Sequence, residues 1–116
     1  MKDLAPHLTR RRLLIEGFFS KEVNEETIRD YFAKIANTLE LKGAGDAIVT
    51  KGSVGTDNQG YGAGVQFVDF GILLNSWTST RFFSISFCSR KLFDEKKVIE
   101  ATREFFGTYK IESMTF

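Results

Sequence analysis

From Arg81 the chain alternates strictly. Phe83, Ile85 and Phe87 fall on one side of an extended backbone, and Phe82, Ser84, Ser86 and Cys88 fall on the other. A two-residue period of this kind marks a strand with unlike faces. Ahead of it, from Tyr61 onward, the chain reads as one long apolar strand ending in a polar corner, Asn75-Ser76-Trp77-Thr78-Ser79-Thr80. Leu8 to Phe19 alternates less regularly and is the first predicted strand. Leu13, Ile15 and Gly17 share one face, and Arg10, Arg12, Leu14, Glu16 and Phe18 share the other. The segment before it, with the one proline, reads as an arm leading into that strand. Asp46 to Lys51 is a short strand, and Thr108 to Phe116 alternates as a last one.

Two stretches carry the helical period instead. In Asn24 to Leu39, Ile28, Tyr31, Phe32, Ile35 and Leu39 recur at i, i+3, i+4 and i+7. Asn24 is a good N-cap there, and Glu25 and Glu26 suit the positive end of the helix dipole. After Asp94, a second cap, Val98, Ala101, Thr102 and Phe105 form an inner stripe, and Gly107 suits the position just past the end. Gly43 and Gly45 break the chain after the first helix. The span from Gly52 to Gly64, GSVGTDNQGYGAG, reads as a glycine-rich loop. It is a poor phosphate cradle, because no Lys-Ser/Thr pair and no helix follow it. The expected order is βαβββαβ. Two helices with one apolar stripe each have one sheet face to cover, so the expected fold class is α+β: a two-layer sandwich of an antiparallel sheet with both helices on one face.

A chain of 116 residues is the common size of a single domain with one core, spanning residues 1–116. Sixteen basic and fifteen acidic residues leave a net charge of +1, so no global field favours nucleic acid or an anionic membrane. No apolar run approaches the ~20 residues needed to cross a bilayer, and the opening MKDLAPHLTRRR has no signal-like hydrophobic core. One Cys and one His leave no internal disulfide and no conventional zinc site, so no metal is expected and a reducing, cytoplasmic setting fits. Twelve Phe residues imply a Phe-built core. They also leave an apolar sheet face, bearing Phe82, Ser84, Ser86 and Cys88, for a ligand, a second subunit or both.

Several side chains carry candidate chemistry, each with a plainer alternative. Trp77 offers a flat amphipathic surface for an aromatic ligand, or is a structural aromatic. Tyr61 is a ligand contact or the packing anchor of its loop. Arg10 and Arg12 form an anion-binding fork or a solvated strand end. Asn75 fixes a polar group or makes a local turn. Asp69 is catalytic or pairs with a nearby Lys or Arg. Ser84 and Ser86 contact a ligand or line a subunit interface, and Cys88 contacts a ligand or is an inert core thiol.

His7-Leu8, the strand LLIEGFF, the capped helix, the glycine-rich loop and the stretch GAGVQFVDFGILLNSW…FFSISFCSRK together resemble the small prokaryotic S-adenosylmethionine decarboxylases. The likeness covers nearly the whole chain in pattern and element order, with few identical residues. It implies a ligand against the sheet at a subunit boundary and an aromatic that helps to stack adenine. It also implies a pyruvoyl cofactor made by self-cleavage at Glu-Ser in a pattern ESHxSIHTWPE, ahead of a strand ending in a catalytic Cys. With Trp77 on the motif's Trp, Glu-Ser falls on Asp69-Phe70, the second His on Asn75, and an upstream supporting Ser near Gly62. Trp77 persists, as does Cys88 after a turn two residues shorter, while Thr78-Ser79 replace Pro-Glu. Phe70 has no hydroxyl for the acyl shift, so no pyruvoyl group is expected. A shifted alignment would use Ser76 or Ser79, and neither follows a Glu.

Decarboxylation next to an amine needs an electron sink that side chains do not supply. The leading expectation is therefore an enzyme that binds S-adenosylmethionine, or a nucleotide conjugate of it, and cleaves it lyase-like to methylthioadenosine and homoserine lactone. Tyr61, Asp69 and Asn75 would be catalytic. Trp77, Ser84, Ser86, Cys88, Arg10 and Arg12 would hold the ligand, with no cofactor, in a homo-oligomer closed through the open sheet face. The alternatives are a non-catalytic S-adenosylmethionine-binding or regulatory homologue, and a divergent pyruvoyl-dependent decarboxylase.

Overall fold

The computed structural model describes residues 2–43 and 45–116. Its elements are β1 (Arg11–Phe18), α1 (Glu25–Leu39), β2 (Ile48–Gly52), β3 (Gly60–Phe67), β4 (Phe70–Trp77), β5 (Phe82–Ser89), α2 (Glu95–Phe106) and β6 (Ile111–Thr115). The strands form a six-stranded sheet in the order β2-β3-β4-β5-β1-β6, with every neighbouring pair antiparallel. α1 packs on β3, α2 packs on β1, and the helices meet each other. The two-layer sandwich expected from the pattern is the observed one.

The helix ends follow their caps. Asn24 accepts from the Thr27 N–H at 2.9 Å, and the Asn24 N–H donates to Thr27 Oγ1 at 3.2 Å, a reciprocal capping box. Asp94 accepts from the Lys97 N–H at 3.2 Å. Gly107 ends α2 with φ 62, where a side chain would be strained. The strand alternation holds as well: Phe83, Ile85 and Phe87 are buried against the helices with Leu13, Ile15, Ile72 and Leu74.

Three boundaries differ from the sequence pattern. The long apolar strand is a hairpin of β3 and β4, turned at Val68 and Asp69 with Phe67 paired to Phe70. Asp69 takes φ 63, a conformation that Asp tolerates better than most residues. Neither turn residue is Gly, Asn or Pro, so the reversal hides inside an apolar run, and the order is βαββββαβ. Second, the glycine-rich loop is shorter, because Gly60, Tyr61, Gly62, Ala63 and Gly64 belong to β3. Third, Asn75, Ser76 and Trp77 lie in β4 rather than in a corner. In α2 it is Phe106, rather than Phe105, that is fully buried, while Phe105 packs at the rim against the Tyr31 ring at 5.4 Å.

Tyr31 and Thr102 join the helices at the centre of the core. Both are fully buried, and their hydroxyls lie 2.7 Å apart. The Thr102 hydroxyl also donates to the Val98 carbonyl at 2.7 Å, which makes the Tyr31 hydroxyl the donor of the shared bond. Burial pushes the Tyr31 phenol well above its ordinary range, against a weaker opposite pull from Thr102.

The Tyr31→Phe variant should lose about 1 kcal/mol, the usual net worth of such a bond, in urea unfolding at neutral pH. Because the folded state holds its proton more tightly, the Tyr31 contribution is complete below pH about 10, the free phenol value. It falls as pH rises further, when the unfolded chain ionises first. Unfolding midpoints across that range should drop less in the Phe variant than in the parent.

Candidate functional site

Strand parity decides which candidate residues can meet. The sheet face away from the helices is ordered in rungs by the strand register. One rung runs Gln66, Gly71, Cys88, Arg12. The next runs Ile48, Gly64, Leu73, Ser86, Leu14, Met114. A third runs Thr50, Gly62, Asn75, Ser84, Glu16, Glu112. A fourth runs Trp77, Phe82, Phe18. Asn75, Trp77, Ser84, Ser86, Cys88 and Arg12 therefore share this face.

The β2 to β4 half of the face is hollow. A trough of about 740 Å³ lies over it, with Gly62, Gly64 and Gly71 on the floor and Thr50, Gln66, Leu73, Asn75, Ser86 and Cys88 around them. Its volume falls within the range of small-molecule sites. The hollow exists because alternate residues of β3 have no side chain. A Cβ on Gly64 would press on Leu73 Cδ2 at 3.0 Å, and one on Gly71 would meet Gln66 Oε1 at 2.6 Å. Thr50 Oγ1 is anchored on the Gly62 carbonyl at 3.2 Å. Cys88 is exposed at the trough edge, which corrects its alternative as a buried core thiol.

The remaining candidates are placed as follows. Ser84 is Asn75's neighbour on β5. Trp77 is half-buried one rung beyond Asn75, its ring 5.6 Å from Phe82, which in turn lies 5.5 Å from Phe18. Arg12 lies at the far side of the face. Its Nε donates to the Phe116 carbonyl at 3.1 Å, and its guanidinium sits 5.3 Å over the Phe116 ring.

Three candidates are elsewhere. Tyr61 has the parity of Ala63 and Val65 and packs half-buried against the core, which is its anchor alternative. Asp69 sits in the β3–β4 turn beside a separate hollow of about 390 Å³. Its carboxylate pairs with Lys91 at 3.4 Å and Arg90 at 4.0 Å. Arg10 pairs with Asp3 and donates to the Ala5 carbonyl at 2.7 Å, bracing the N-terminal segment. Neither Tyr61 nor Asp69 can act together with Asn75 in the trough. The residues missed from the pattern are Thr50, Gln66 and the glycines. Their signal was present in the alternate glycines of Gly60-Tyr61-Gly62-Ala63-Gly64, which as a strand leave one face bare.

Among the described residues, no group of three or more His, Cys, Asp or Glu side chains is placed to hold a metal ion, and no helix is long and apolar enough to cross a membrane.

No protein-family model matches the chain, and no curated protein matches it. Solved structures do match. The adenosylmethionine decarboxylase of Aquifex aeolicus VF5 superposes with a TM-score of 0.75 over 94% of this chain and 89% of that one, at 10% sequence identity. The likeness is one of fold: this chain has an adenosylmethionine decarboxylase-like α+β sandwich.

The glycines of β3 serve two different ends, and substitution separates them. Gly62→Ala should raise stability by roughly 0.5–1 kcal/mol, the usual gain over Gly inside a strand, since its Cβ would meet only the movable Asn75 side chain at 3.3 Å and Thr50 at 3.5 Å. Gly60→Ala should lower it, because the new Cβ would overlap the Ser76 carbonyl oxygen. Melting temperatures of the two variants check both signs.

Proposed function

We propose that the trough binds an adenosyl sulfonium of the S-adenosylmethionine class and cleaves it, lyase-like, without a covalent cofactor. The observation that carries this is a glycine-floored trough on the open sheet face of a decarboxylase-like fold, with Asn75, Ser86 and Cys88 at its walls and the Trp77 indole one rung away. An adenine stacked on Trp77 gains roughly 0.5–1.5 kcal/mol beyond burial, and the sulfonium suits the same electron-rich face.

The composition of the trough bears on the chemistry. With Tyr61 and Asp69 placed elsewhere, Asp46 and the Cys88 thiol are the titratable groups left at the trough, and the proposed reaction asks little of either. A sulfonium is already activated. If the ligand folds so that its own carboxylate oxygen meets its γ-carbon, a C–O bond forms as the C–S bond breaks. The electron pair of the broken bond stays on sulfur, giving neutral methylthioadenosine and homoserine lactone. Holding that geometry supplies several kcal/mol of the barrier. Asn75 and Ser86 would orient the carboxylate and amine, and a cover over the trough would exclude water. The positions that correspond to a pyruvoyl precursor do not suit one. Phe70 is packed in the core, Ser76 is buried with its Oγ accepting from the Tyr61 N–H at 3.2 Å, and Ser79 lies in an exposed turn.

The test is incubation of the chain with S-adenosylmethionine, with chromatography for methylthioadenosine and calorimetry for binding. Turnover amounts of methylthioadenosine are expected. Binding without product would leave the non-catalytic binding alternative, and neither binding nor product would remove the adenosyl ligand altogether. Trp77→Ala should weaken binding about tenfold, near the upper end of the stacking gain, with the fold intact. Cys88→Ser should change turnover little.

A further inference from the structure

We infer that the end of the trough away from Trp77 receives an ammonium group, with Asp46 supplying the charge and Gln66 an oriented acceptor. This rests on the adenosyl reading above and adds a ligand class to it: a nucleoside with a free amine beyond the sugar and no phosphate. Among the described residues, Asp46 is the only Asp, Glu, Lys or Arg on the trough walls. A phosphate meets no countercharge there, whereas an ammonium does.

Local hydrogen bonding makes this end an acceptor. Gln66 Nε2 donates to the Phe67 carbonyl at 2.8 Å. A carbonyl only accepts, so the amide nitrogen has to face it and Oε1 is left for a ligand. That oxygen lies over Gly71, so close that a Cβ there would come to 2.6 Å. Asp46 is brought to the same end because the Gly45 N–H donates to the Gln66 carbonyl at 3.2 Å, beyond the last β2–β3 pair, Ile48 with Gly64. Among the described residues the Asp46 carboxylate has no ion-pair partner, whereas Asp69 is held by Lys91. Thr50, further along the same wall, spends its hydroxyl hydrogen on the Gly62 carbonyl and also presents only lone pairs.

The length agrees. Trp77 and Gly71, which stands beside Gln66, are six residues apart on β4, about 20 Å at roughly 3.4 Å per residue. A nucleoside stacked on Trp77 leaves the Gln66 end unfilled, and a short aliphatic chain ending in an amine reaches it. In the displacement proposed above, the α-ammonium stays outside the ring that closes. Holding it at Asp46 fixes the α-carbon while the carboxylate turns onto the γ-carbon.

Titration calorimetry of the full chain with thioethers, whose neutral sulfur is a poor leaving group, tests this. S-Adenosylhomocysteine keeps the ammonium and the carboxylate, its deaminated analogue keeps only the carboxylate, and methylthioadenosine keeps neither. The parent should bind S-adenosylhomocysteine about tenfold more tightly than the deaminated analogue, as a charge-assisted contact implies, and adenosine monophosphate not detectably. Asp46→Asn preserves the shape and removes the charge, so it should bring the first two compounds within about twofold of each other and leave methylthioadenosine binding unchanged. Gln66→Leu should cut affinity for S-adenosylhomocysteine about fivefold, again sparing methylthioadenosine. Circular dichroism confirms that each variant is folded. A parent indifferent to the amine, or one that binds adenosine monophosphate equally well, overturns the inference. So does an Asp46→Asn chain that keeps the tenfold preference or weakens on all three thioethers alike. Each of those results leaves the adenosyl site standing, whereas a parent that binds no adenosyl compound removes both.

Discussion

Both helices lie on the same side of the sheet, and the whole molecule answers to that fact. Their stripes, from Ile28 to Ile35 and from Val98 to Phe106, present one continuous apolar surface joined through Tyr31 and Thr102. Each strand beneath must deliver its large apolar side chains upward at every second residue. β5 does so with Phe83, Ile85 and Phe87, β4 with Phe70, Ile72 and Leu74, and β1 with Leu13 and Ile15. The alternate positions are thereby released from packing duty, and they differ sharply between the two halves of the sheet. On β3 they are Gly60, Gly62 and Gly64, followed by Gln66. On β5 they are Ser84, Ser86 and Cys88, and on β1 and β6 they are Arg12, Leu14, Glu16, Glu112 and Met114.

That division gives the open face a hollow half and a raised half. The hollow half has the size of a small-molecule site, and the raised half carries Leu14 and Met114 between Arg12 and the Glu16–Glu112 pair. The polar groups at the trough are Asp46, Thr50, Gln66, Asn75, Ser86 and the Cys88 thiol, of which Asp46 and Cys88 are titratable.

Most of the architecture was legible from periodicity, because the core is built from strictly alternating Phe, Ile and Leu in strands and from two capped amphipathic helices. The hairpin at Val68-Asp69 was not, because its left-handed residue is an Asp between two apolar runs, and nothing local marks the reversal. That one missed turn had a large effect on the candidate site. Asp69 falls at a turn away from the trough, and counting Gly60 to Gly64 as loop concealed the parity that sends Tyr61 into the core and bares the trough floor. Ser84, Ser86 and Cys88 share the open face as their alternation along β5 implied, while Asn75, read as part of a corner, reaches the same face from β4. Arg10 and Arg12, adjacent in sequence pattern, separate because β1 begins between them.

The trough floor is main chain, and its orientation matters. β3 is hydrogen-bonded on both sides, to β2 and to β4, so its amides and carbonyls lie in the sheet plane, committed to their neighbours. Above Gly62 and Gly64 a guest therefore meets the flat π surfaces of peptide groups and Cα hydrogens, with no free donor or acceptor beneath it. A planar heterocycle resting there is gauged by thickness and breadth, while the identity of its edge is left to the surrounding walls.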